Sequence, residues 1–126
     1  MSRFWIGIGF LAVLLATGLW VSAAMNEIAE PVAQKLTQAG ELALQGDMEQ
    51  ALETAQRAGM DWRSHWRVVA AFADHSPMEE IDSRLAELEV YGREGEQTDF
   101  AAACAAAARQ VEAVAQAHKP CWWNLV

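Results

Sequence analysis

The chain begins with an unbroken apolar stretch and then changes to apolar positions at helical spacing. Phe4 to Ala24 contains no charged residue. As a helix this stretch spans roughly 31 Å, close to one hydrocarbon core. From Asn26 to Gln45, Ile28, Val32, Leu36, Ala39 and Ala43 recur every three or four residues, which predicts an amphipathic helix. Pro31 lacks an amide hydrogen, so it marks a kink in that helix or its true start. Gly46 suits a left-handed helix end, and Asp47, with Gln50 three residues on, suits the next N-cap.

A second seam runs through Met48, Leu52, Ala55, Gly59, Trp62, Trp66, Val69 and Ala73. Its alternating steps of four and three predict one long helix from Asp47 to Asp74, bent at Gly59 or, alternatively, broken at Ala58-Gly59. Ser76-Pro77 with Glu79 forms an N-terminal capping box. Met78, Ile81, Leu85 and Leu88 are the seam of this third helix, which is expected to end near Gly92. Arg93 to Gln97 reads as a polar turn. Phe100, Cys104, Ala107, Val111, Val114 and His118 then line a fourth helix, whose alanine run provides a thin face for close packing. Pro120 ends it. The predicted fold is all-α: an N-terminal transmembrane helix followed by an antiparallel up-and-down bundle of about four helices. The expected divisions are residues 1–25 as anchor, 26–119 as bundle and 120–126 as an apolar tail.

Charge sharpens this picture. The chain of 126 residues has a net charge of −8, with 17 acidic residues. Before Asn26 the sole charged side chain is Arg3, so the acid lies entirely in the body. Such a body repels nucleic acid and anionic lipid head groups, so neither is expected as a partner of the body. Arg3 before the apolar stretch, and Glu27 and Glu30 after it, favour an amino terminus inside the cell and a body outside the cytoplasm. Trp5 and Trp20 stand near the two ends of the stretch, where indole rings favour the membrane interface. The rival reading is a cleaved signal peptide, since Val21-Ser22-Ala23 offers the small residues a peptidase needs.

Candidate chemistry is sparse. His65 and His75 are ten residues apart, roughly 80° and 15 Å on one helix, so they make no local metal pair. No metal motif, nucleophile–base pair or phosphate loop stands out, and no cofactor or catalytic residue is expected. Trp62 and Trp66 read as core by their spacing; together with His75 they could instead line an aromatic pocket for a small ligand. His75 otherwise belongs to the corner beside Ser76. Cys104 reads as a buried thiol, and Cys121 lies about 20 Å further along a straight helix, too far for a bridge. Trp122 and Trp123, with Leu125 and Val126, read as a tail that completes the core, or as an exposed anchor for a partner or the bilayer interface.

The leading apolar segment, Trp62 and Trp66, His75 before a helix start, Ile81, Leu85 and Leu88, and Asn124-Leu125 resemble the bacterial family grouped as domain of unknown function 4363. The resemblance implies a membrane-anchored accessory protein acting with another membrane protein. It carries no activity over, and it leaves the Cys121-Trp122-Trp123 tail unexplained. The expectation is therefore a non-catalytic accessory or binding subunit at the cell membrane. The alternative is a secreted or anchored ligand-binding bundle.

Overall fold

The computed structural model describes the backbone of residues 1–69 and 76–117 and, within it, every side chain except those of residues 2, 66–69 and 76. Four helices make up the described chain: α1 (Ser2–Leu44), α2 (Met48–Val69), α3 (Ser76–Glu94) and α4 (Gln97–Ala117). Helix α1 packs on α2 and α4, and α3 packs on the same two helices from the opposite corner. Pairs across the interfaces fix the directions. Lys35 meets Asp61, Arg63 meets Asp82 and Arg84 meets Gln110. Consecutive helices are thus antiparallel, as the short connections require.

Two corners are built from the same parts. At the end of α1, Gly46 has φ 91°. Its N–H donates to Ala43 O and the Asp47 N–H donates to Leu42 O, each at 3.0 Å. This is the pair of bonds that closes a helix on a left-handed glycine. Asp47 then starts α2: its Oδ1 accepts the Gln50 N–H at 3.1 Å, and its carbonyl accepts the Ala51 N–H at 3.0 Å. At the end of α3, Gly95 has φ 73° and the Glu96 N–H donates to Tyr91 O at 3.2 Å. Glu96 O accepts the Phe100 N–H at 2.9 Å and so opens α4.

Two boundaries differ from expectation, those of α1 and α3, while α2 keeps the unbroken helix across Gly59 that its seam predicts. Helix α1 has no separate start at Asn26 or Pro31; it is one helix of 43 residues with Pro31 inside it. Pro31 is exposed and so is Glu27, the residue whose carbonyl loses its helical partner. That carbonyl belongs to an exposed residue, a position where water can take the place of the missing bond. Helix α2 runs through Gly59 without a break. A Cβ on Gly59 would meet Leu85 Cδ1 at 3.7 Å, an ordinary contact, so the glycine sits in a packed interface. Helix α3 passes Gly92 and ends at Glu94. The turn is shorter than the predicted polar stretch, and its left-handed residue is Gly95.

The core follows the predicted seams. Leu36, Ile81, Leu88, Phe100, Cys104 and Val111 are fully or almost fully buried, and Trp62 is 3% exposed. Alanine makes up much of the core on α1 and α2, with Ala39, Ala43, Ala51, Ala55 and Ala58 all buried. The α1–α4 contact is tight at Gly40: a Cβ there would stand 3.3 Å from Cys104 Cβ and 3.7 Å from Ala101 Cα. Small residues let the helix backbones approach, and dispersion between the many atoms brought together offsets the small apolar area of each.

Candidate functional site

The feature that sets this molecule apart from a plain four-helix bundle is the first half of α1. Of the side chains described from Arg3 to Trp20, every one is exposed, including Phe4, Trp5, Leu11, Leu15 and Trp20 at more than half of their surface. Burial starts abruptly after that: Val21 is half-buried, Ser22 is buried and Met25 is 1% exposed. The exposed stretch spans roughly 27 Å as helix. This helix is long and apolar enough to cross a membrane. Its hydroxyl is already satisfied, since Thr17 Oγ1 donates to Val13 O at 2.8 Å. That bond removes a donor which hydrocarbon could not satisfy.

The physical reason for the break at residue 21 lies in the partner helices. Helices α2 and α4 are 22 and 21 residues long. They cover α1 only over its second half. Asn26, Ala29 and Glu30 on α1 line a shallow groove with Glu112, Ala115 and Gln116 near the end of α4. The apolar residues before this level have nothing in the described chain to pack against.

Of the residues that the sequence picks out, Trp62 is in the core. The side chain of Trp66, the whole of His75, and Trp122 and Trp123 lie outside the described residues, as do Cys121 and His118. His65 is exposed, with Nδ1 2.8 Å from Asp61 O and 3.3 Å from Ser64 Oγ, so its ring is held by its own helix. Among the described residues, no group of three or more His, Cys, Asp or Glu side chains is arranged to hold a metal ion. Cys104 is a free, buried thiol, and burial pushes its pKa up to about 12. The Glu96 carboxyl is raised above its ordinary value by a hydrogen bond with Asp99 and by that neighbour's charge.

A second groove, of about 330 Å³, lies between α1 and α4. Its floor is made of small residues, Gly40, Ala101, Ala105 and Ala108, and Glu41 and Arg109 stand among its walls. Sequence reasoning did not single out Gly40 because one glycine in a helix looks like any other. The signal was the alanine run of α4, which announced a close approach without naming the partner.

Residues 19–125 match the family described as a domain of unknown function, DUF4363. The chain belongs to that family. The match begins at Leu19, where the exposed apolar stretch is about to meet the bundle, so it covers the packed body and the residues after it. No curated protein and no solved structure matches the chain.

Proposed function

We propose that this DUF4363 protein is a single-pass, membrane-anchored helical bundle, held outside the cytoplasm, that serves as a non-catalytic accessory or binding subunit of a membrane-associated complex. The observation that carries the reading is the exposed apolar half of α1, joined to the packed half without a break. Exposing that much contiguous apolar surface to water is unfavourable by roughly 25 cal/mol per Å², and a bilayer removes it. Orientation rests on Arg3 before the stretch and Glu27 and Glu30 after it. The non-catalytic role rests on the sequence, where no nucleophile–base pair or paired carboxylates stand out from the solvated helix faces.

Two measurements test this. Deleting residues 3–20 should release the bundle from membranes that resist alkaline extraction; a bundle still retained would place the anchor elsewhere. A Glu94→Cys variant in a Cys121→Ser background should react with a membrane-impermeant maleimide in intact cells. Reaction only after lysis would reverse the orientation. Partner assignment then comes from recovery of one membrane protein with the gently solubilised chain, and its loss on deletion of the anchor.

A further inference from the structure

The two grooves between α1 and α4 share Glu112, so they form one furrow along that side of the bundle. On α1 it is lined along a row of Asn26, Glu30, Thr37, Gly40 and Leu44, which advances by fours and threes through the buried Ala33. On α4 a matching row runs through Ala101, Ala105, Ala108, Glu112 and Ala115. The α1 row is roughly 27 Å long. Two such rows leave a groove of the kind that takes the ridge of a third helix.

The α1 row does not stop at the bundle, because the helix is unbroken. From Asn26 the same steps lead back to Ala23, Leu19, Ala16, Ala12 and Gly9, all exposed. A Cβ on Gly9 would meet nothing within 4 Å. The heptad row Gly9-Ala16-Ala23 is small throughout, whereas every other heptad row of residues 4–24 contains a large apolar side chain. In hydrocarbon, helices associate by close packing, which small residues allow. A helix that follows both parts of the row wraps α1 with a left-handed tilt, as a repeat of threes and fours requires.

Charge on the furrow walls sets what can lie in it. The charged residues that line it are Glu30, Glu41, Glu112 and Arg109. Among the described residues none of the four is in an ion pair, while Lys35, Arg57, Arg63, Arg84 and Arg93 each are. The half nearer the apolar stretch is lined by Glu30 and Glu112, with no basic residue beside them among the described lining. A second copy held in the same membrane would set these carboxylates against their own counterparts, which like charge disfavours. A lysine or arginine at that level would satisfy them.

We propose that the furrow and the small row that continues it form one seat for a transmembrane helix of another membrane protein. That helix leaves the bilayer along α1, lies between α1 and α4, and carries lysine or arginine level with Glu30 and Glu112. The inference rests on the anchored reading above and names the face of α1 that the partner uses.

The test uses the full chain in its native membranes, with a benzophenone maleimide on single cysteines in a Cys121→Ser background. Ala16→Cys and Thr37→Cys lie on the row; Phe10→Cys and Gln38→Cys lie off it. On illumination the two row labels should join the same polypeptide, and the other two should not. Mass spectrometry should place the Ala16→Cys adduct in an apolar segment and the Thr37→Cys adduct further along the same helix, with lysine or arginine between them. Glu30→Lys with Glu112→Lys should cut the Thr37→Cys adduct about tenfold or more, because like charges then meet across the seat. Glu30→Gln with Glu112→Gln should act in the same direction. Equal protein adducts from all four labels, or lipid adducts alone, would overturn the seat. So would an adduct between two copies of this chain, a Thr37→Cys label joined within its own chain, or a partner segment without a basic residue at that level. The Phe10→Cys label should join lipid acyl chains, and if it does so the anchor stands whatever becomes of the seat. If it joins none and alkali releases the chain from the membrane, the anchored reading fails and the seat with it.

Discussion

Gly40 on α1 and Cys104 on α4 face each other, with only 3.3 Å between a Cβ on the first and the Cβ of the second. Ala101 O would be 3.5 Å from the same Cβ, so backbone as well as side chain limits the space. Gly40→Ala should change stability little, because the helix preference of alanine, about 1 kcal/mol, works against the tight contact. Gly40→Leu should lower stability by about 1–3 kcal/mol, because overpacking must push the helices apart. Thermal unfolding of the detergent-solubilised chain, followed by helical circular dichroism, distinguishes the two; equal melting points would mean that the helices are not close.

The Cys104 thiol has a definite pH signature. Burial raises its pKa from 9.0 to about 12, so the folded protein keeps a proton that the unfolded chain gives up. Stability from this group is complete below pH 9 and declines as pH rises toward 12, by at most about 1.4 kcal/mol per pH unit. Cys104→Ala should remove that part of the alkaline slope while leaving the rest. Cys104 should also resist maleimide at neutral pH until denaturant is added. Parallel alkaline slopes for the two proteins would contradict the assignment.

Gly92 packs against Leu52. A Cβ on Gly92 would stand 2.6 Å from Leu52 Cδ1 and 3.3 Å from Phe100 Cε2. Gly92→Ala should therefore force Leu52 to rotate and lower the melting point. In a Leu52→Ala background the same change should be tolerated. The coupling read from the four melting curves should be about 0.5–3 kcal/mol, and strictly additive effects would rule the contact out.

Trp62 is a large aromatic of the α2 seam and is 3% exposed. Trp62→Ala should destabilise the bundle by about 3–5 kcal/mol, as deletion of a buried aromatic leaves a cavity. Trp62→Phe should be milder. A ligand-lining role would instead leave stability almost unchanged in Trp62→Ala, which denaturant titration resolves.

Glu96 occupies the position in the second corner that Asp47 occupies in the first, but its longer side chain turns to Asp99. Its pKa is raised by that hydrogen bond and by the like charge. A raised carboxyl favours folding most when protonated, so stability from this pair falls as pH rises through its titration. Glu96→Ser supplies a better N-cap and removes the repulsion. Its melting point should exceed that of the parent at neutral pH, and the gain should shrink on acidification. A gain independent of pH would mean that only capping had changed.

The sequence by itself determined the helices, their seams and the apolar first stretch. These depend on local periodicity and capping, which neighbouring residues encode. Met78, Ile81, Leu85 and Leu88 were all legible as core in this way, as were Phe100, Cys104 and Val111. Gly46 and Asp47 marked a corner because a left-handed residue followed by a capping carboxylate has local meaning. Gly92 and Gly95 show the limit. Both are glycines near a helix end, and only the position of Leu52 on another helix decides that the first makes room and the second makes the turn. Pro31 shows it too: proline favours a helix start, but packing on α2 and α4 carries the helix through it. Where the apolar half of α1 loses its cover was likewise decided by tertiary structure. The lengths and register of α2 and α4 set that level, and no pattern within residues 4–24 records where another helix ends.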